Sequence, residues 1–282
     1  MKKLYAYLPL VLGAGVMLFP LWWMFVVSLE NAGRAGAAAA GGEVALWPTV
    51  ANWSNYTDAL RELGARPWDS FLDAFANSVV VTVLVVIGQV LSCSLVGYSF
   101  ARIRFRGSKP LFVLMLATMM LPPQVTMIPL FLFFRSLGWV DTILPLVVPA
   151  FFGNAFFIFM FRQFFSQIPQ ALVEAARLDG CGHFSIWWRI MLPICKPVIA
   201  ICAVFSFIFA WNDFLIPLIY LHSEEQSTLA VALNSFRNQY GGLEDVQYLM
   251  AVSIVTMIPC VLLFFSAQKQ FVEGLGKGAV KG

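Results

Sequence analysis

Apolar residues in this chain come in long unbroken runs, and polar residues are confined to the gaps between them. Six windows, at about 6–28, 77–100, 111–134, 142–165, 196–221 and 249–267, are apolar with few charges. A hydrocarbon core of roughly 30 Å needs about 20 apolar residues per helix, so the pattern predicts six transmembrane helices. Each gap gathers charges or turn-formers, as required where a chain leaves lipid. Strands of a membrane barrel would alternate polar and apolar residues over about ten positions, and "VVVTVLVVIG" does not. The predicted fold is all-α and polytopic, a single membrane domain over residues 1–282.

Composition agrees with the pattern: 60% of residues are hydrophobic, 12% are charged and 27 are phenylalanine, more apolar surface than a water-facing globule tolerates. The first apolar run, Leu4 to Leu29, exceeds the roughly 7–15 residues of a secretory signal core. It reads as a retained first span.

Charge then sets an orientation. Placing the amino terminus in the cytoplasm puts 13 of the 18 Lys and Arg residues in cytoplasmic segments, among them Arg102, Arg104, Arg106 and Lys109, as lysine and arginine retention requires. An even number of spans brings the carboxyl terminus to the same side. The net charge of +3 is the sum of two opposed faces, and no basic patch with interleaved aromatics points to nucleic acid.

Between the spans, the outer loop 30–76 opens with the low-complexity "NAGRAGAAAAGG" and continues in short amphipathic pieces. Span three contains Pro122, Pro123 and Pro129, which predict a kink or break, serving either packing or a wet cavity. Gln124, Asn154, Asn212 and Asp213 are polar side chains inside apolar spans and are candidates for lining a solute path. Asp213, shortly before Pro217, is equally a candidate cap for a bend.

The five cysteines form no CxxC pair, and His183 and His222 fall on opposite predicted sides, so no metal site is expected. No G-x-x-x-x-G-K-[ST] loop is present, because Phe271 stands where the first glycine before Gly276-Lys277 is required. No catalytic residue is predicted.

The least membrane-like interior stretch is the loop 166–195. Pro169 suits a helix start and Gly180 the left-handed position past its end, so "QALVEAARLD" is predicted as a short helix. Leu172, Ala175, Ala176 and Asp179 share one side of it, a face with small residues that another protein can approach closely, with Glu174 nearby to pair with a partner's arginine. Trp187 and Trp188 then suit a membrane interface. A plain connecting loop has the same features.

Glu174, Ala175, Ala176, Gly180, Ile190, Leu192 and Pro193 stand at the spacing of the EAA loop of ABC importer permeases, which this segment resembles. "YSFARIRFRG", "LGWVDT", "WNDFLIPLI" and the ending "FVEGLGKGAVKG" resemble the carbohydrate branch of that family, the maltose and glycerol-3-phosphate systems, and the similarity extends over nearly the whole chain. The resemblance implies a type I importer permease fold in the bacterial inner membrane, with both termini cytoplasmic. It implies a second permease, two cytoplasmic ATPase subunits carrying ATP and Mg, and an extracytoplasmic binding protein as partners, with no cofactor on this chain. Glu174, Ala175, Ala176, Asp179 and Gly180 are then the ATPase-coupling residues. Gly274, Gly276, Lys277 and Gly278, in the cytoplasmic tail 268–282, are candidates for a second ATPase contact. An importer of peptides or amino acids, an ion-coupled carrier and a membrane scaffold are the competing readings.

Overall fold

The computed structural model describes residues 2–42, 46–64, 71–240 and 245–279, and no strand occurs among them. The first helices in order are α1 (Lys2–Ser28), α2 (Ala32–Ala39), α3 (Ser54–Gly64), α4 (Phe71–Arg102), α5 (Ser108–Thr118), α6 (Pro123–Ser136), α7 (Leu144–Val147) and α8 (Ala155–Gln167). There follow α9 (Gln170–Leu178), α10 (His183–Ile186), α11 (Leu192–Ile194), α12 (Lys196–Trp211), α13 (Leu215–Tyr220), α14 (Leu229–Tyr240) and α15 (Val246–Ala279). Among the described residues, four segments are long and apolar enough to cross a membrane: Tyr7–Ser28, Phe71–Arg102, Leu144–Gln167 and Val246–Gln268. Two bent pairs, α5 with α6 and the run His183–Ile194 with α12, bring the number to six if each counts as one span.

The bends have identifiable causes. α5 and α6 meet at 98°; Pro122 is extended (φ −61°, ψ 132°), as the residue before a proline prefers, so the window 111–134 is two helices where a kinked one was an alternative. The second bend, 83°, falls at Cys195 between Pro193 and Pro197. The window 196–221 is interrupted as well, by Asn212–Phe214 between α12 and α13. The window 142–165 is α7, a 3-10 turn Val148–Phe152 and α8, separated by Gly153 at φ 90°.

The chain divides into two compact units, Met1–Phe75 with Ser227–Pro259, and Ala76–Gln226 with Cys260–Gly282. In the first, the end of α1 is tied off by polar groups. Asn55 donates from Nδ2 to the carbonyls of Ser28 at 2.8 Å and Glu30 at 2.9 Å, supplying partners that a helix C-terminus lacks. The Glu30 carboxylate, 3% exposed, accepts from the Thr49 amide at 2.9 Å and from its hydroxyl. Val27, Ala35 and Val246 form the adjoining apolar cluster, with Trp23 and Met250 against it.

In the second unit the core lies where α4 meets α8. Cys93, Tyr98, Phe161, Phe165, Ile186, Met191, Cys195 and Cys202 are buried together there. The approach is close because α4 offers Gly97: a Cβ on it would stand 2.7 Å from Phe161 Cβ and 3.1 Å from the Ile158 carbonyl oxygen. The backbone interrupted at Gly153 is satisfied sideways, with Ser92 Oγ donating to Ala150 O at 3.0 Å and the Asn154 amide donating to Cys93 Sγ at 3.1 Å. α5 joins through Arg162, whose guanidinium lies 4.1 Å from the centre of the Phe112 ring.

Candidate functional site: the α9 docking segment

Helix α9 begins directly after Pro169 and ends in a motif that sequence punctuation anticipates. Gly180 takes φ 82°, its amide bonds the Arg177 carbonyl at 3.0 Å and the Cys181 amide bonds the Ala176 carbonyl at 2.9 Å. These are the two bonds of a Schellman C-cap. A side chain at Gly180 would meet open space, so glycine is required there by backbone conformation.

Packing decides which side of α9 faces outward. Val173 and Ala176 are buried at 1% and 6% exposure, inside the core of α4 and α8. Ala171, Glu174, Ala175 and Leu178 are exposed, and their i, i+3, i+4, i+7 spacing makes one outward stripe. This corrects the expectation for Ala176, which cannot offer a contact face because it fills space in its own unit. Glu174, Ala175, Asp179 and Gly180 are exposed. Leu178, 90% exposed, is the largest apolar contribution to the stripe. Sequence reading passed over it because it lies off the arc of Leu172, Ala176 and Asp179; an isolated leucine between Arg177 and Asp179 was the available signal.

Both ends of α9 are held by α4. At its start, Arg102 Nη1 donates to Gln170 Oε1 at 2.8 Å, and Nη2 donates to the Phe165 and Ile168 carbonyls at the end of α8. At its other end, Arg177 Nη2 reaches His183 Nε2, and His183 Nδ1 lies 3.1 Å from the Tyr98 hydroxyl. His183 is thus a bridge between the end of α9 and α4. Beyond it a π-helical turn, Trp187–Met191, buries Trp187 and Met191.

The polar candidates inside the spans do not converge on one hydrogen-bonded cluster among the described residues. Gln124 is exposed near the start of α6. Asn154 caps α8, accepting from the Phe156 amide at 2.9 Å. Asn212 Nδ2 donates to the Ile208 carbonyl at 2.8 Å. Asp213 accepts from the Ile216 amide at 3.3 Å, which makes it a cap for α13 at the break. A cavity of about 400 Å³ between α6 and the 3-10 turn is walled by Phe134, Trp139, Pro149 and Phe152; it lacks the hydrogen-bonding groups a carbohydrate needs.

Asp141 builds the turn before α7. It takes φ 63°, a left-handed conformation that aspartate tolerates better than most residues. Its carboxylate accepts from the Ser223 amide at 2.8 Å, the His222 amide at 2.9 Å and the Ser223 hydroxyl at 2.9 Å, and the two amides hold its pKa below the ordinary carboxylate value. Of the tail residues, Gly274, Gly276, Lys277 and Gly278 are in α15, which continues to Ala279; the Lys277 side chain and residues 280–282 lie outside the described residues.

The architecture is that of an all-α chain with four to six segments apolar enough to cross a membrane and a short, partly exposed helix between two of them. The chain belongs to the family of binding-protein-dependent transport system inner membrane components, whose model matches residues 93–277. Among curated relatives, it is 37% identical over 208 residues to an arabinooligosaccharides transport system permease, AraQ, of Halalkalibacterium halodurans, covering 74% of each chain. It is 32% identical over 265 residues to AraQ of Bacillus subtilis, covering 94% of this chain and 91% of that one. The sn-glycerol-3-phosphate transport permease UgpE of Yersinia pestis is 29% identical over 272 residues, with 96% and 95% covered. A chain of a solved bacterial ABC transporter involved in the import of the acidic polysaccharide alginate superposes with a TM-score of 0.80 at 26% identity, covering 95% of both chains.

Proposed function

We propose that this permease subunit carries a sugar or sugar-like solute inward, as one of two permeases in an importer driven by ATPase subunits that dock on α9. The observation that supports it most is the outward stripe Ala171, Glu174, Ala175 and Leu178 on a helix closed by Gly180. Small and apolar side chains let a partner approach closely, Leu178 offers an apolar knob, and Glu174 offers a carboxylate for an arginine. The family membership and the sugar-transport relatives support the solute class. In this reading α9 and both termini are cytoplasmic, ATP and Mg are handled by the ATPase subunits, and a binding protein delivers solute on the opposite side. Asn212 and Asp213 at the α12–α13 break, with Asn154 and Gln124, remain the candidates for the solute path, and the end of α15 is a candidate second ATPase contact.

The test is to purify the tagged chain from its native membranes and measure ATPase subunits per permease. Wild type is expected to carry them; Glu174→Lys, which reverses the charge, and Gly180→Val, which forces a β-branched residue to positive φ at a cost of roughly 1–2 kcal/mol, are expected to lose them while inserting normally. A wild-type ATPase ratio in both variants would refute the docking role of α9.

A further inference from the structure

We infer that Tyr98 and Arg102 of α4 are positioning residues that fasten α9 at both ends, so that movement imposed on α9 is handed to α4 and α8 together. The inference rests on α9 being the ATPase-docking helix. Tyr98 and Arg102 stand four residues apart and so share one face of α4. One reaches the end of α9 through His183 and Arg177, the other its first residue, Gln170.

The polarity of the longer link is fixed by chemistry. An arginine has only donors, so His183 Nε2 accepts from Arg177, the ring proton sits on Nδ1, and Nδ1–H donates to the Tyr98 oxygen. Tyr98 is 1% exposed, so no solvent molecule stands in for it. The shorter link is a branch point. One guanidinium bonds Gln170 together with the Phe165 and Ile168 carbonyls, which joins α4, the end of α8 and the start of α9.

These bonds are needed because burial alone does not hold α9. Among its nine residues only Val173 and Ala176 are buried, two small side chains that set which face is inward and offer little against rocking. α4 and α8, by contrast, already meet at backbone distance through Gly97. Clamping α9 to that pair at two points turns a loop helix into part of a stiff body.

The experiment uses the whole complex, both permeases with their ATPase subunits, in lipid vesicles. A cysteine placed at exposed Phe152 or Phe156, near the start of α8 and far from α9 in sequence, is labelled with a membrane-impermeant maleimide before and after addition of ATP and orthovanadate. In wild type the labelling rate changes on nucleotide trapping. In Arg102→Gln the ATPase ratio and ATP hydrolysis are expected to persist while that change shrinks roughly tenfold, and in Tyr98→Phe about threefold, in line with losing several charge-assisted bonds or one neutral bond. Arg102→Lys is expected to behave like Arg102→Gln, because one ammonium does not reproduce a planar fork on three acceptors.

An undiminished response in Arg102→Gln, wild-type behaviour in Arg102→Lys, or loss of the ATPase from the Tyr98→Phe complex would overturn the inference. If the Arg102 variants fail to accumulate, Tyr98→Phe decides alone, since it keeps the ring that packs on Phe165. Failure of the docking reading looks different: the wild-type complex itself would contain no ATPase.

Discussion

Replacing Gly97 by alanine adds one methyl group at the tightest point between α4 and α8. That carbon would lie 2.7 Å from Phe161 Cβ and 3.1 Å from both the Arg162 nitrogen and the Ile158 oxygen. Carbon atoms rest at roughly 3.5–4.0 Å, so the helices must part by about 1 Å. No rotamer relieves the clash, because the opposing atoms are backbone or fixed directly to it. Overpacking of this kind costs about 1–3 kcal/mol, and the better helix propensity of alanine returns just under about 1 kcal/mol. The net loss lies between about 0 and 2 kcal/mol, and its centre, about 1 kcal/mol, is a fall in melting midpoint of roughly 2–4 °C for a unit of this size. A thiol-reactive dye reads it directly, since Cys93, Cys195 and Cys202 are each 0% exposed in the same core. Gly13→Ala, where a Cβ meets nothing within 4 Å, is the control and should melt no lower than wild type. If Gly97→Ala melts above wild type, the close approach of α4 and α8 is wrong.

Two further outcomes are expected. Leu178→Asp should leave the melting midpoint within the equivalent of about 0.5 kcal/mol, as for most surface changes, yet reduce ATPase co-purification at least roughly tenfold; retention of the ATPase would remove Leu178 from the docking surface. Asp141 has a folded pKa below its unfolded value, so its contribution is fully present above the unfolded value of about 3.9 and is lost as pH falls through the lower folded pKa. Amide exchange at His222 and Ser223 should therefore accelerate only in strongly acidic solution, and should already be fast at neutral pH in Asp141→Ala; slow exchange in that variant would show that the turn holds without the carboxylate.

The hydrophobic windows made the spans legible because lipid imposes one requirement on every residue of a span. Helix α9 was legible too, because Pro169 and Gly180 punctuate it and Gly180 has a conformational reason to be there. Its orientation was not: Val173, the one β-branched residue of α9, goes inside together with Ala176, and that is settled by the surfaces of α4 and α8. The broken third span was visible in Pro122 and Pro123, and the bend at Cys195 has Pro193 and Pro197 on either side of it, whereas the interruption at Gly153 is completed by side chains of α4. The link from His183 to Tyr98 spans 85 positions and leaves no local trace.

The interruption at Gly153 limits how two spans can travel. At that point the backbone of one is completed by Ser92 and Cys93 of the other, in bonds that run crosswise between them. A piston stroke of α8 along α4 would break both at once. Sliding therefore costs two hydrogen bonds that a tilt of the pair leaves intact.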